Sequence, residues 1–256
     1  MEKKLAAFKR TLEIVDRLRV ECPWDRKQTN QTLRPLTIEE TYELADALLQ
    51  ENDPEIQIEL GDVLLHILFY AKIAEEKKQF TIENVCNSLC DKLIYRHPHI
   101  FSSAEAKNSE AVEANWAILK LREGKDKTVL GGVPESLPSL IKAYRIQDKA
   151  RSVGFDWKNK ADVWEKVKEE IAEVQQEIDD QNKEKLEAEF GDLLFSIVNA
   201  ARLYGIEPDT ALERTNKKFT KRFNYLERKA KEQGKLLKEM TLEEMDALWN
   251  EAKQNS

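Results

Sequence analysis

Five acidic side chains recur in this chain at a constant separation, and their types and spacing are suited to metal chemistry. The two sets are Glu39, Glu40, Glu43, Glu59 and Asp62, then Glu169, Glu170, Glu173, Glu189 and Asp192. Each member of the second set follows its counterpart by 130 positions, as in 169 − 39. Crowded carboxylates repel one another and are costly to bury unless a cation joins them. The repeat therefore predicts two related halves, at least one of which binds a metal.

The spacing within each set predicts how the acids meet. Glu40 and Glu43 are three residues apart, one turn along a helix face, and Glu59 and Asp62 repeat that spacing further on. A short break at residues 51–53 predicts antiparallel neighbouring helices whose carboxylate pairs face each other. Four oxygen ligands favour Mg²⁺, with Mn²⁺ second, and the motif has no His or Cys for Zn²⁺. A duplicated, solvated surface helix is the alternative to a metal site.

Helical periodicity predicts the elements that position these acids. Helices are expected over residues 3–20, 37–50, 53–76, 81–95, 109–122, 139–151, 160–179, 183–204, 208–232 and from 241 onwards. Thr-x-x-Glu capping boxes mark the starts at Thr37 and Thr241. No segment alternates as a strand does. The predicted fold class is all-α, with the helices of each half packed as a bundle.

A linker divides the two halves. The stretch from Gly124 to Pro138 lacks periodicity and contains a Gly131-Gly132 pair. It predicts an N-terminal domain of residues 1–123, a linker of residues 124–138 and a C-terminal domain of residues 139–256. The length of 256 residues agrees with one or two domains.

Composition restricts the class of partner. A net charge of −7 without a basic tail makes nucleic acid an unexpected partner. No apolar run approaches the ~18 residues that span a bilayer, and the N-terminus lacks a signal-peptide pattern. The three cysteines are an odd number and provide no disulfide framework. These features predict a cytoplasmic protein that does not bind membranes.

The acidic pattern, Glu-Glu-x-x-Glu followed by Glu-x-x-Asp on consecutive helices, resembles the signature of the MazG family of nucleoside triphosphate pyrophosphohydrolases. The resemblance covers nearly the whole chain and includes Cys22-Pro-Trp-Asp25 and Arg96-His-Pro-His99. It implies two tandem MazG-like helical bundles completed by homodimerisation. It also implies Mg²⁺-dependent hydrolysis of nucleoside triphosphates to a monophosphate and pyrophosphate, with broad base tolerance, as nucleotide-pool housekeeping.

The resemblance implies roles for individual residues. The family's metal ligands match Glu170, Glu173, Glu189 and Asp192, with Glu40, Glu43, Glu59 and Asp62 as a second candidate set. The predicted catalytic residues are Glu169, Glu170 and Glu173. Glu169 either supports the metal ligands or acts as the base for the attacking water. The predicted nucleotide-binding residues are Lys166, Glu169, Lys185, Lys218, Lys221, Arg222 and Trp249.

The halves differ where a triphosphate needs cations. The lysines at 166, 183, 185 and 221 correspond to Leu36, Asp53, Glu55 and Tyr95 in the first half. The C-terminal half is therefore predicted to carry most turnover, as in the family. The N-terminal half is expected to be weakly active, regulatory or structural.

Several alternatives stay open. The protein is either a base-tolerant hydrolase, a hydrolase restricted to one nucleotide, or a helical regulatory or interaction protein with vestigial metal sites. Trp249 either stacks on a base or docks into the core. Cys86 and Cys90 are interpreted as small buried residues, and His66 as a hydrogen-bonded core histidine. The sequence has no Gly-rich phosphate loop, which excludes a P-loop nucleotidase.

Overall fold

The computed structural model of the chain is helical, which confirms the predicted fold class. It describes residues 1–102 and 128–254, together with positions 112 and 119, and no strand occurs among them. Apart from positions 112 and 119, the predicted helix at 109–122 lies outside these residues, as does the first part of the predicted linker. The chain divides into two compact units, Met1–Trp116 and Ala117–Ser256. The boundaries at 123 and 138 remain predictions.

Each unit is built around a pair of adjacent helices that carries one acidic set. The helices of the first unit are α1 Glu2–Glu21, α2 Asn30–Leu49, α3 Asp53–Glu76, α4 Ile82–Arg96 and the short α5 Pro98–Phe101. Those of the second are α6 Ser139–Ser152, α7 Lys160–Asp179, α8 Lys183–Leu203, α9 Pro208–Glu232 and α10 Leu242–Gln254. The acidic pairs are α2 with α3 and α7 with α8.

The two hairpins turn in the same way. Glu51 and Gln181, 130 positions apart, both adopt a left-handed backbone conformation, with φ of 53° and 54°. The next residue is asparagine in both hairpins, and its backbone N–H donates to a carbonyl five residues earlier, 3.2 Å away in each. A left-handed non-glycine residue costs roughly 1–2 kcal/mol. The same conformation at equivalent positions shows that the repeat extends to the backbone of the turn.

The start of α2 differs from the sequence prediction. The helix begins at Asn30, not near Thr37, because Thr29 and Thr32 form a reciprocal capping box with N···O distances of 2.9 and 3.2 Å. Thr37 lies inside the helix, where its hydroxyl hydrogen-bonds the Leu33 carbonyl and lies 2.6 Å from the Tyr70 hydroxyl. The predicted capping box at Thr241 is confirmed by hydrogen bonds in both directions with Glu244.

Apolar packing fixes which face of each hairpin points inward. In the first unit Leu33, Phe69 and Ile73 form a buried cluster between α2 and α3. In the second unit Val163 and Val167 on α7 pack against Ala200 on α8. Position 170 continues the inward face of α7, since it follows Val163 and Val167 at helical spacing. No helix among the described residues combines the length and apolarity required to cross a membrane.

Candidate metal centres

The two hairpins bring three acids of each set together. In the C-terminal unit, carboxylate oxygens of Glu170, Glu173 and Glu189 lie within 4.8 Å of one another. In the N-terminal unit, oxygens of Glu40, Glu43 and Glu59 meet the same criterion. Each cluster combines two acids from one helix with one from the next. This arrangement can hold a divalent cation with oxygen ligands.

Each cluster contains one deeply buried carboxylate. Glu170 is 4% exposed and Glu59 is 6% exposed. In both residues Oε2 is buried and has no hydrogen-bond partner among the described residues. An unpaired buried carboxylate oxygen is costly, and a bound cation would offset that cost. The orphaned oxygens therefore show that the residues of both clusters fit a metal ion.

The aspartates at positions 62 and 192 are less closely joined to their clusters. Neither belongs to the three-residue groups whose oxygens lie within 4.8 Å. The charge of Asp62 nevertheless contributes to raising the pKa of both Glu40 and Glu59. Asp192 is exposed, one turn beyond Glu189 on α8. Both aspartates stay predicted fourth ligands.

The electrostatics of the clusters oppose full ionisation. Burial, followed by neighbouring carboxylates, raises the pKa of Glu40 and Glu59 above the ordinary value of 4.5. Partial desolvation of its carboxylate, a hydrogen bond with Glu170 and the charges of Glu170 and Glu189 raise the pKa of Glu173. A raised pKa contributes stability below the unfolded value and loses it as the pH rises through the folded value. At neutral pH the metal-free clusters therefore reduce stability.

Neutralising one buried acid should stabilise the metal-free protein. We expect Glu59→Gln to raise Tm at pH 7 in EDTA, because it removes a carboxylate whose pKa burial has raised. The gain should shrink as the pH falls towards about 4.5, where the wild-type carboxyl also takes up a proton. Calorimetry against Glu187→Gln, an exposed site on α8, controls for the charge change. A Tm for Glu59→Gln below wild type at every pH would contradict this account.

Lys166, a predicted nucleotide-binding residue, lies at the C-terminal cluster. Its Nζ is 2.8 Å from Oε1 of Glu169 and 2.8 Å from Oε1 of Glu170. These hydrogen bonds raise the pKa of Lys166 and keep it protonated. Three predicted site residues, Lys166, Glu169 and Glu170, therefore form one ion-paired group. Lys185 instead lies beside the α7–α8 turn, where its Nζ is 3.8 Å from Oε1 of Glu177.

The remaining predicted nucleotide-binding cations lie on α9. Lys218 and Lys221 are exposed, and Arg222 is half-buried with its Nε lacking a hydrogen-bond partner in the described ranges. No ion pair between described residues joins these three to the acidic cluster. Their phosphate role stays a prediction.

Trp249 is half-buried on α10. It packs against a core cluster that includes Leu226, Met240 and Leu248. Its ring centroid is 5.0 Å from that of Phe219, a neighbour of Lys218 that is 56% exposed. These contacts favour the docking alternative for Trp249. They also reveal Phe219 as an exposed aromatic beside the predicted phosphate-binding lysines, which the sequence interpretation missed.

The structure tests the interpretations of His66, Cys86 and Cys90, and it also contains a buried ion pair that the sequence did not predict. His66 is buried as predicted, but its Nδ1 has no hydrogen-bond partner among the described residues. Cys86 and Cys90 are exposed, so their interpretation as buried residues is wrong. Asp156 and Arg202 form an ion pair in which Arg202 is 9% exposed. The pair joins positions 46 residues apart, and no local sequence signal identifies it.

The fold and the two carboxylate clusters define an all-α protein of duplicated helical hairpins, each with three acids that could hold a metal ion. The family model described as MazG nucleotide pyrophosphohydrolase domain matches residues 28–101 and 159–226, which contain both clusters. The chain belongs to this family.

Named relatives cover nearly the whole chain. The nucleoside triphosphate pyrophosphohydrolase/pyrophosphatase MazG of Thermotoga maritima is 42% identical over 250 residues, 96% of this chain and 95% of that protein. The nucleoside triphosphate pyrophosphohydrolase of Escherichia coli is 41% identical over 252 residues, 95% of this chain and 96% of that protein. The similarity therefore extends over both units.

Proposed function

We propose that this chain hydrolyses nucleoside triphosphates to a nucleoside monophosphate and pyrophosphate, with Mg²⁺ held by the C-terminal cluster and Mn²⁺ as a substitute. The observation that carries the proposal is the buried carboxylate of Glu170. Its unpartnered oxygen lies among acids from two helices and beside a lysine. Relatives that are similar along nearly the whole chain bear the name of this activity.

Each residue of the cluster has a chemical task in this reaction. When bound, a divalent ion polarises phosphate oxygens and lowers the pKa of a coordinated water. Glu170, Glu173, Glu189 and Asp192 supply oxygen ligands for that ion. Glu169 is exposed at the edge of the cluster and is assigned to accept a proton from the attacking water. The water oxygen bonds to a phosphorus atom beside the oxygen that bridges the α and β phosphates. The bond between that phosphorus and the bridging oxygen breaks, which releases the monophosphate and pyrophosphate.

Basic side chains stabilise the charge of the triphosphate. Lys166 is already at the cluster, and Lys185, Lys218, Lys221 and Arg222 complete the proposed phosphate-binding set. Fixed cations that face the charge developing on phosphate oxygens lower the barrier to cleavage. Lysine at 166, 185 and 221 occurs only in the second half, and this supports assigning most turnover to the C-terminal unit.

Base recognition is proposed to be weak. The exposed Phe219, which packs on Trp249, offers aromatic surface, and stacking on an aromatic ring tolerates every base. A base-tolerant pyrophosphohydrolase would serve cytoplasmic housekeeping of the nucleotide pool. A site restricted to one nucleotide is the alternative enzyme, and a regulatory protein with vestigial metal sites is the non-enzyme alternative.

A substrate panel separates these alternatives. We expect pyrophosphate release from several ribo- and deoxyribonucleoside triphosphates with Mg²⁺ or Mn²⁺, and none in EDTA. Release from a single nucleotide would favour the restricted hydrolase. No release from any of them, with helicity intact by circular dichroism, would favour the regulatory protein.

We further propose a homodimer in which α4 meets a second copy. None of the fifteen residues of α4 is buried, and Val85, Leu89 and Leu93 along it are 36%, 46% and 42% exposed. An exposed apolar stripe on a helix is a typical self-association surface. Light scattering should show a dimer for wild type and a monomer for Leu89→Asp. The control Glu83→Gln, exposed on the same helix, should remain dimeric, and a wild-type monomer would contradict the proposal.

A further inference from the structure

The two acidic clusters differ in the cation beside them. Lys166 lies one turn before Glu170, and its ammonium is bonded to Glu169 and Glu170. The equivalent position 130 residues earlier is Leu36, which packs against the buried Leu33 cluster. Equivalent helix positions therefore carry a positive charge in one half and a hydrocarbon in the other.

The N-terminal cluster has no counter-cation within the described residues. None of the ion pairs there involves Glu40, Glu43, Glu59 or Asp62. In the C-terminal cluster, by contrast, the ammonium of Lys166 is paired with the carboxylate of Glu170. The unrelieved negative charge is therefore greater in the N-terminal half.

We propose that Lys166 is an internal counter-cation that sets the order of metal loading in the two halves. A free divalent ion enters the N-terminal cluster first and more tightly, and the C-terminal cluster takes its ion together with the triphosphate. This inference rests on the proposed function, since it treats both clusters as metal sites. Its physical basis is repulsion: an ion at the unpartnered Oε2 of Glu170 shares that carboxylate with the ammonium on Oε1.

The triphosphate relieves this repulsion. The side chain of Lys166 is 38% exposed, so its ammonium can leave Glu170 for a phosphate oxygen without crossing the core. Lys166 then opposes the metal in the absence of substrate and binds phosphate in its presence. The C-terminal site consequently binds metal and nucleotide cooperatively. Leu36 gives the N-terminal half no such coupling, and its ion stays bound whether or not nucleotide is present.

Calorimetric titration with Mn²⁺, in the absence of nucleotide, tests the loading order. Glu173→Gln leaves the N-terminal site to be measured, and Glu43→Gln leaves the C-terminal site. We expect Mn²⁺ to bind the N-terminal site with a Kd lower by on the order of tenfold. In the Glu43→Gln background, Lys166→Met should tighten Mn²⁺ binding by a similar factor. Lys166→Arg keeps the charge and should leave the Kd unchanged.

Introducing a lysine at the equivalent position of the N-terminal half should weaken Mn²⁺ binding there. Leu36→Lys in the Glu173→Gln background should weaken Mn²⁺ binding, whereas Leu36→Met should not. A nucleotide analogue with a methylene between the α and β phosphorus atoms should tighten Mn²⁺ binding in the C-terminal half. That tightening should be smaller with Lys166→Met.

Two results would overturn the inference: equal Mn²⁺ affinities of the two halves, or a Kd that Lys166→Met leaves unchanged or raises. Circular dichroism reports whether each variant folds. Lys166→Gln replaces Lys166→Met if the latter is unfolded. Hydrolysis by the wild type separates this inference from the proposed function. If the protein is inactive but binds Mn²⁺ more tightly in the N-terminal half, only the proposed function is refuted. If the protein is active but its two halves bind Mn²⁺ equally tightly, only the loading order is refuted.

Discussion

Glu173→Gln is expected to lower kcat/KM for pyrophosphate release by on the order of 10³-fold, because it removes charge from the C-terminal cluster where phosphate chemistry needs an ion. Glu173 is exposed, so the substitution should not disturb the fold. Its oxygen lies within 4.8 Å of oxygens of Glu170 and Glu189, and an amide is a poorer ligand for a hard cation. Initial rates with Mg²⁺ and a common triphosphate provide the measurement.

The matched control is Glu43→Gln, the same change at the equivalent position of the first half. We expect this variant to retain most activity, because the N-terminal half has Leu36, Asp53 and Glu55 where the C-terminal half has lysines. Circular dichroism and Tm should show that both variants fold. Loss of activity in the Glu43 variant with full activity in the Glu173 variant would contradict the assignment of turnover to the C-terminal unit.

The second large effect is on stability. Asp156→Ala should lower the free energy of unfolding of the C-terminal unit by about 2–3 kcal/mol, because it leaves the Arg202 guanidinium without its carboxylate partner. Arg202 has a side chain only 6% exposed and is held by both Asp156 and Asn199. The expected loss is below that of a fully buried pair because the Asp156 side chain is 21% exposed. Urea denaturation measures it.

The exposed Arg17–Glu21 pair on α1 provides the control. It is also bidentate, with N···O distances of 3.1 and 3.0 Å, but both side chains are in solvent. Glu21→Ala should therefore change the free energy of unfolding far less than Asp156→Ala does. Equal losses for the two variants would show that burial does not strengthen the Asp156–Arg202 pair.

The Asp156–Arg202 pair contributes a stability that depends on pH. Burial alone would raise the pKa of Asp156, but its bonds to Arg202 and to the Trp157 backbone lower it overall. A lowered pKa gives stability that is present above the unfolded value and is lost as the pH falls through the folded value. The contribution of Asp156 should thus disappear only in acid below its ordinary pKa of 3.8. This behaviour is opposite to that of Glu59.

Spacing rules were sufficient to predict the hairpins that carry the acids. Glu170 and Glu173, with Glu189 on the next helix, were predicted to meet, and the structure brings them together. The predicted start of α2 was wrong because Thr37 and Glu40 have the spacing of a capping box, whereas Thr29 caps the helix in the structure. Local sequence cannot decide between two capping signals when tertiary packing of Leu33 fixes the earlier turn.

Other properties depend on contacts distant in sequence. Nothing in the repeat predicts that the buried acid is Glu59 in one half but Glu170, at a different repeat position, in the other. The Asp156–Arg202 pair likewise joins the loop between α6 and α7 to α8, and the contact of Phe219 with Trp249 joins α9 to α10. Burial and long-range pairing arise from how helices pack, and periodicity within one helix carries no information on them.

The identity of the products is the most direct test of the proposed reaction. Phosphorus NMR of a nucleoside triphosphate incubated with the wild-type protein and Mg²⁺ should show the monophosphate and pyrophosphate accumulating in equal amounts. The same mixture with the Glu173→Gln variant should show intact triphosphate. A diphosphate with orthophosphate as the products would contradict cleavage between the α and β phosphates, and an unchanged triphosphate with folded wild type would contradict the enzyme assignment itself.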